Sequence, residues 1–272
     1  MVDKLLLTTT QISTFDGERP LSKATGFFFE REGRLYLITN RHVMIDEPND
    51  HRPSHIELVL HQNLENMVQV ESCPLPIYNG ELPLWKEATD AGGLVDVVAL
   101  PIDRSLLPAA SVFEAFTPQH VIQNFDGLEI GAALVIVGFP LGFQDTLHNL
   151  PIGRQASVAS AFGIRFQGQG TFLTDARMHR GASGSPVVAR VDTPKTVATG
   201  LPWQLLGVHA SRYDMGTRDA VADEALGLNA AWYSDVLLVL TEELAPPAEV
   251  MVPTGDAPDA QLQPIDSPSL TA

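Results

Sequence analysis

Hydrophobic and polar positions along this chain change over in short runs, and almost none keeps a helical period. Thr8 to Thr14 alternates and ends at Asp16-Gly17, which predicts a first strand and a turn. Ala24-Thr25-Gly26-Phe27-Phe28-Phe29-Glu30 and Leu35-Tyr36-Leu37-Ile38-Thr39 are β-rich runs joined by Arg31-Glu32-Gly33-Arg34, a compact hairpin. Ile56 to Leu60 and Val68 to Glu71 read as strands, and Pro74 to Trp85 as a proline-rich loop. Leu94 to Leu100 is an apolar strand broken by one acid, Asp96. Residues 103–130 follow no template. Further strands are expected over Ala132 to Phe139, around Ala156 to Phe162, and over Thr171 to Thr174, Pro186 to Ala189 and Leu205 to Ser211. Only near the end do apolar residues fall on one helical face, at Val236, Leu237, Leu240 and Leu244. That spacing predicts a helix over 235–244, with Ser234 as N-cap and a stop before Pro246-Pro247. The pattern is that of an all-β body with a C-terminal helix.

Composition narrows the possibilities. With 272 residues and 44% hydrophobic content the chain can bury a full core, and its 21 glycines and 20 prolines suit many short strands. The last 28 residues hold six of the prolines and four acids with no Lys or Arg, so 245–272 is expected to be a disordered acidic tail. Setting those four acids aside from the net charge of −16 leaves −12 for the body. A nucleic-acid partner is therefore not expected, because phosphate contacts need a basic face. Cys73 has no second cysteine to pair with, the N-terminus has only three consecutive apolar residues after Lys4, and no run has the length of a membrane span. These features point to a cytoplasmic protein without a membrane partner.

Three places carry candidate chemistry. Gly181-Ala182-Ser183-Gly184-Ser185-Pro186 sets a serine in a glycine turn, which suits a nucleophile whose neighbouring amides receive an oxyanion, and equally an ordinary hairpin turn. His42, in Thr39-Asn40-Arg41-His42-Val43, stands where a strand ends, as a base at a cleft or a half-buried histidine capping a turn. Asp96 either faces water on an edge strand or has a specific partner, since burying an unpaired carboxylate costs several kcal/mol. His51 and His55 invite a metal reading, but Pro53 spoils a shared helical face and no acid or cysteine cluster completes the set. No metal or other cofactor is expected.

Taken in order, His42, Asp96 and Ser183 supply a base, an acid to orient it and a nucleophile. These motifs resemble the trypsin-like serine proteases over about residues 20–244. Thr174-Asp175-Ala176 and Gly138-Phe139-Pro140-Leu141-Gly142 are similar to the bacterial, high-temperature-requirement branch. The resemblance implies a chymotrypsin-like fold of two six-stranded antiparallel β-barrels with a C-terminal helix. The domain would span 1–244, with one barrel over about 8–115, a second over about 125–233, and the cleft between them. It implies a serine endopeptidase with His42, Asp96 and Ser183 as catalytic residues and the N–H groups of Gly181 and Ser183 as oxyanion hole. Ala182 replaces the aspartate that in the digestive enzymes pairs with a freed N-terminus, so activation by that cleavage is not expected. Nor is a PDZ-type domain, because only the tail follows the helix.

By the same resemblance Arg177 would lie near the floor of the pocket for the residue before the cut, and Val208, His209 and Ala210 would form its wall. Gly207-Val208-His209 is similar to the Gly-Ile-His of glutamyl endopeptidases and picorna-like viral proteases, which implies a preference for Glu, Asp or Gln. The partner is then a protein or peptide substrate, and activity would be restrained either by narrow specificity or by a regulatory protein acting on the loops 143–154 or 212–224. The competing functions are a catalytically silent binding protein on the same fold and an esterase using the same triad.

Overall fold

The computed structural model describes residues 2–125, 127–191, 200–213 and 226–243. The expected tail and most of the loop 212–224 lie outside the described residues.

A single helical turn, Lys4–Leu7, precedes the first strands: β1 (Thr9–Asp16), β2 (Arg19–Arg31), β3 (Arg34–Thr39), β4 (His55–His61) and β5 (Val70–Pro76). Two small ribbons follow, β6 (Tyr78–Asn79) with β7 (Leu82–Pro83) and β8 (Thr89–Asp90) with β9 (Gly93–Leu94). With β10 (Val98–Ile102) the larger strands form an antiparallel sheet in the order β10-β3-β2-β1-β4-β5. The three consecutive phenylalanines of β2 are explained by a strand with core on both faces. Phe28 packs with Leu35 and Leu37 inside the first lobe, while Phe27 and Phe29 face the second lobe with Tyr36 and Ile38.

The segment expected to be a loop from Pro74 to Trp85 instead begins as the end of β5, which carries Pro74 and Pro76. β5 is the outermost strand of its sheet, and an edge tolerates proline because one side of its backbone has no neighbour to bond.

The second sheet contains β11 (Ala133–Gly138), β12 (Ile152–Ser157), β13 (Thr171–Thr174), β14 (Pro186–Arg190), β15 (Trp203–Arg212) and β16 (Asn229–Tyr233). Its order is β12-β11-β14-β15-β16-β13, and a bridge between Val158 and Thr174 brings the two outer strands together. β12 ends near where the strand around Ala156 to Phe162 was expected to begin, because its register with β11 runs from Ala133–Ser157 back to Gly138–Ile152. The result is an all-β, two-sheet chymotrypsin-like fold.

The two lobes share an apolar core. Phe27, Ile38 and Val97 meet Val188, Leu205 and Val208 there, with Leu237 and Leu240 of the C-terminal helix. That helix covers Val236–Leu240, shorter than the expected 235–244. Its cap position is Asp235, which makes no side-chain cap bond, while the Ser234 hydroxyl donates to Leu205 O at 2.7 Å and pins the helix start to β15. Among the described residues no helix is long and apolar enough to cross a membrane.

Candidate active site

His42 and Asp96 both come from the first lobe. β3 stops at Thr39, Asn40 takes the N-cap position of a single helical turn over Arg41–Met44 without a side-chain cap bond, and His42 stands on that turn rather than on a strand end. Asp96 lies in the bend between β9 and β10, not inside a strand as its apolar neighbours suggested. The physical reason is that local side chains take the place of a strand partner. The Asp96 carboxylate accepts the His42 backbone N–H at 3.0 Å and meets the ring Nδ1 at 2.8 Å, while the Asp96 carbonyl accepts from Asn40 Nδ2 at 2.6 Å.

Burial is the largest influence on the His42 imidazole and pulls its pKa down. The hydrogen bond and charge of Asp96, with Asp46 behind, more than offset it and leave the pKa above the ordinary 6.5. The side chain nevertheless keeps 36% of its surface exposed, so the ring stands at an open face with its Nδ1 edge fixed. Arg41 is turned elsewhere, bound to Glu47 at 3.1 Å and Glu87 at 3.0 Å, and brings no cation to the histidine.

Ser183 comes from the second lobe, on the turn between β13 and β14. Gly181 and Gly184 hold φ of +90° and +85°, where L side chains are strained. Space excludes them as well. A Cβ on Gly181 would lie 2.6 Å from Phe139 O, and one on Gly184 would collide with Thr25 O. The turn is strapped to both lobes: Thr25 N–H donates to Ser183 O at 3.0 Å, Thr25 Oγ1 to Gly181 O at 2.8 Å, and Leu141 N–H to Arg180 O at 2.5 Å. With those carbonyls occupied, the N–H groups of Gly181 and Ser183 donate to no protein group among the described residues. Ala182 is fully buried in the second-lobe core beside Val187 and Met178.

Ser183 Oγ donates to Ala210 O at 3.1 Å, and no hydrogen bond joins it to His42. The structure thus shows an imidazole oriented by Asp96 on the first lobe and, on the second, a serine turn with two amides unpaired among the described residues and a hydroxyl that rests on the β15 backbone.

The residues expected to form the specificity pocket divide. Arg177 is exposed, while its neighbours Ala176 and Met178 are 2% and 3% exposed and pack in the second-lobe core, so it is not a pocket floor. Val208 and Ala210 turn their side chains into the core between the lobes, and only the Ala210 carbonyl reaches Ser183. His209 does face the second-lobe interior. Register puts it on the sheet face that carries Asn229 and Thr174, and His209 Nδ1, Asn229 Oδ1 and Thr174 Oγ1 are all buried without a hydrogen-bond partner. Burial, helped by His42, lowers the His209 pKa to about 4, so the ring is neutral at pH 7.

Sequence reasoning missed Thr25 and Asn40. Both lie inside segments it singled out, Thr25 in the β2 run and Asn40 beside the histidine, but no role was read for either. Thr25 reveals itself only through contacts with Gly181 and with Phe139, whose N–H donates to Thr25 Oγ1 at 3.0 Å, more than a hundred residues away.

Two six-stranded antiparallel sheets, with a histidine–aspartate pair on one and a glycine-flanked serine on the other, define a chymotrypsin-like architecture. The sequence profile of the trypsin-like peptidase domain matches residues 24–193, more than half the chain, and the chain belongs to that family. Solved structures with a similar fold include a variant of the HtrA-type protease AlgW with a tripeptide, at TM-score 0.51 and 16% identity over 87% of this chain and 59% of that one. Another is the serine endoprotease from Yersinia pestis, at TM-score 0.51 and 15% identity over 87% of this chain and 62% of that one. The chain thus spans about three fifths of the length of these proteins, and at such identity the likeness is one of fold. No curated protein sequence matches it.

Proposed function

We propose that the chain is a serine endopeptidase acting through an acyl-enzyme. The observation that carries the reading is the Asp96–His42 contact of 2.8 Å, together with a serine turn whose Gly181 and Ser183 amides are unpaired among the described residues. In this mechanism Ser183 Oγ leaves the Ala210 carbonyl and attacks a peptide carbonyl carbon as His42 Nε2 takes its proton. The carbonyl oxygen becomes an oxyanion held by the Gly181 and Ser183 N–H groups. His42 then gives the proton to the leaving amine, the C–N bond breaks, and water attacks the acyl-enzyme by the same route. Asp96 fixes the tautomer with the proton on Nδ1 and stabilises the imidazolium.

A preference for Glu, Asp or Gln before the cut is supported by three atoms without a hydrogen-bond partner, His209 Nδ1, Asn229 Oδ1 and Thr174 Oγ1, although the Asn229 Nδ2 group donates to Ala176 O. Since His209 is neutral and Arg177 is exposed, these groups offer hydrogen bonds without charge, and Gln is the best match among the three at neutral pH. The loop after β11 supports regulation by a protein partner. Leu141 holds the Arg180 carbonyl, while the side chains of Leu141, Phe143 and Leu147 are exposed.

The Ser183–Ala210 bond is the one observation favouring a catalytically silent binding protein instead. Labelling with a fluorophosphonate probe separates the two readings. Covalent labelling of the natural sequence, absent in Ser183→Ala, is the expected result. Failure of the natural sequence to label while an authentic serine protease does would refute the proposal.

A further inference from the structure

A cavity of about 400 Å³ lies on the side of the molecule where the C-terminal helix meets both lobes. Val95, Ile122, Trp232, Val236 and Val239 give it apolar walls, and the catalytic reading uses none of them. Its volume falls within the range of about 300–1,000 Å³ typical of ligand sites. Exposed apolar side chains extend it at the surface. Phe125 and Val239 in its lining are 49% and 63% exposed, and Ile164 and Leu94, each next to a lining residue, are 65% and 48% exposed. Such a concentration of exposed apolar groups marks an interaction site more often than chance scatter.

Three charged residues line the cavity, and they are not equivalent. Arg165 is bonded to Asp90 at 2.5 Å, which ties the β8–β9 ribbon to the loop before β13. Asp235 is exposed at the start of the helix and makes neither a salt bridge nor a side-chain cap bond. The cavity therefore offers apolar walls and one unpaired negative charge at its mouth. A second copy of this chain, also at −16, would bring like charge to that mouth.

We propose that this cavity binds a peptide segment presenting a large apolar side chain beside a Lys or Arg, the apolar group entering against Trp232 and the cation meeting Asp235. Val95, in the wall, immediately precedes Asp96, so the occupant would contact the residue next to the partner of His42.

The test uses the full chain carrying Ser183→Ala, so that no probe is cut. Three blocked pentapeptides are titrated by calorimetry: one with Phe between two Lys, one with Phe between two Glu, and one with Ala between two Lys. The expected result is saturable one-to-one binding of the first, with both others weaker. Val239→Trp fills the mouth at an exposed position and should weaken binding by about tenfold or more, as loss of a central contact does. Asp235→Asn removes the charge without removing a cap bond and should weaken it by about two- to fivefold, the scale of an exposed ion pair. Near-ultraviolet circular dichroism checks that each variant is folded. Absence of saturable binding, equal binding of the Ala or Glu peptide, or full affinity in folded Val239→Trp would each overturn the proposal. Because the readout is binding in a chain without a nucleophile, the result is independent of whether the natural sequence is an active peptidase.

Discussion

Replacing Thr25 by Val tests whether the first lobe positions the oxyanion turn of the second. Valine keeps the β-branched shape in β2 and removes only the hydroxyl, which donates to Gly181 O at 2.8 Å and accepts from Phe139 N–H at 3.0 Å. The lost bond to Gly181 O costs about 0.5–1.5 kcal/mol, and the buried Phe139 N–H left without an acceptor costs about 1–3 kcal/mol, so a loss of about 1.5–4.5 kcal/mol in stability is expected. The catalytic effect follows from geometry. Deleting an oxyanion donor costs about 10²–10³ in kcat, and Thr25 acts one step removed, by holding the peptide unit after Gly181, so about a 10- to 100-fold loss in kcat with little change in KM is expected. Urea unfolding gives the first quantity, and peptide hydrolysis normalised by active-site titration gives the second. Thr25→Ser restores the hydroxyl and should recover most of kcat. A folded Thr25→Val enzyme with undiminished kcat, or a Thr25→Ser enzyme as poor as Thr25→Val, would show that the hydroxyl does not set the oxyanion turn.

Asp96→Asn should lower kcat by about 10⁴-fold through the wrong imidazole tautomer. In the natural sequence the base must be neutral and its pKa is raised, so activity should fall as pH drops through a value above 6.5, and an Asn at position 96 should move that acid limb downward. His209 has the opposite sign. Its folded-state pKa of about 4 lies below the unfolded 6.5, so between those values the unfolded chain holds the extra proton and stability declines as pH falls. That group alone accounts for about 3 kcal/mol, and urea unfolding at pH 7 and pH 4 should show a shallower loss in His209→Gln. In a peptide-library survey, cutting should favour Gln, Glu or Asp at the residue before the bond, and Arg177→Ala should leave that preference within about twofold because an exposed charge is screened. Preferred cutting after Lys or Arg would sink the pocket assignment.

Residues that speak through their neighbours in sequence were legible, and those that act across the fold were not. The β2–β3 hairpin is written in Phe27-Phe28-Phe29 and Leu35-Tyr36-Leu37-Ile38, and the serine turn in Gly181 to Pro186. β16 was not, because Asn229-Ala230-Ala231-Trp232-Tyr233 has small residues where alternation should show; Ala231 is small because it faces Phe172 and His209 across the sheet. Arg177 misled for a related reason. Its distance from Ser183 along the chain matches a pocket floor, but Met178 N–H turns back to Ala176 O at 2.9 Å, and that tight local bond accompanies burial of the two flanking side chains and exposure of the arginine.

On the proposed mechanism, the hydrogen bond of the Ser183 hydroxyl to Ala210 O is the contact in this resting site that must break before reaction. The parts that are costly to build are in place: His42 is held by Asp96, Asp96 by Asn40, and the serine turn by Thr25 and Leu141. Only Ser183 Oγ is committed elsewhere, to Ala210 O at 3.1 Å, and a neutral hydrogen bond of that kind contributes about 0.5–1.5 kcal/mol. On the proposed mechanism, freeing Ser183 Oγ for His42 gives up that one hydrogen bond. We propose that a partner acting on the loop at Leu141 would control activity by moving the Arg180 carbonyl and with it the Gly181 amide, because the two belong to one peptide unit.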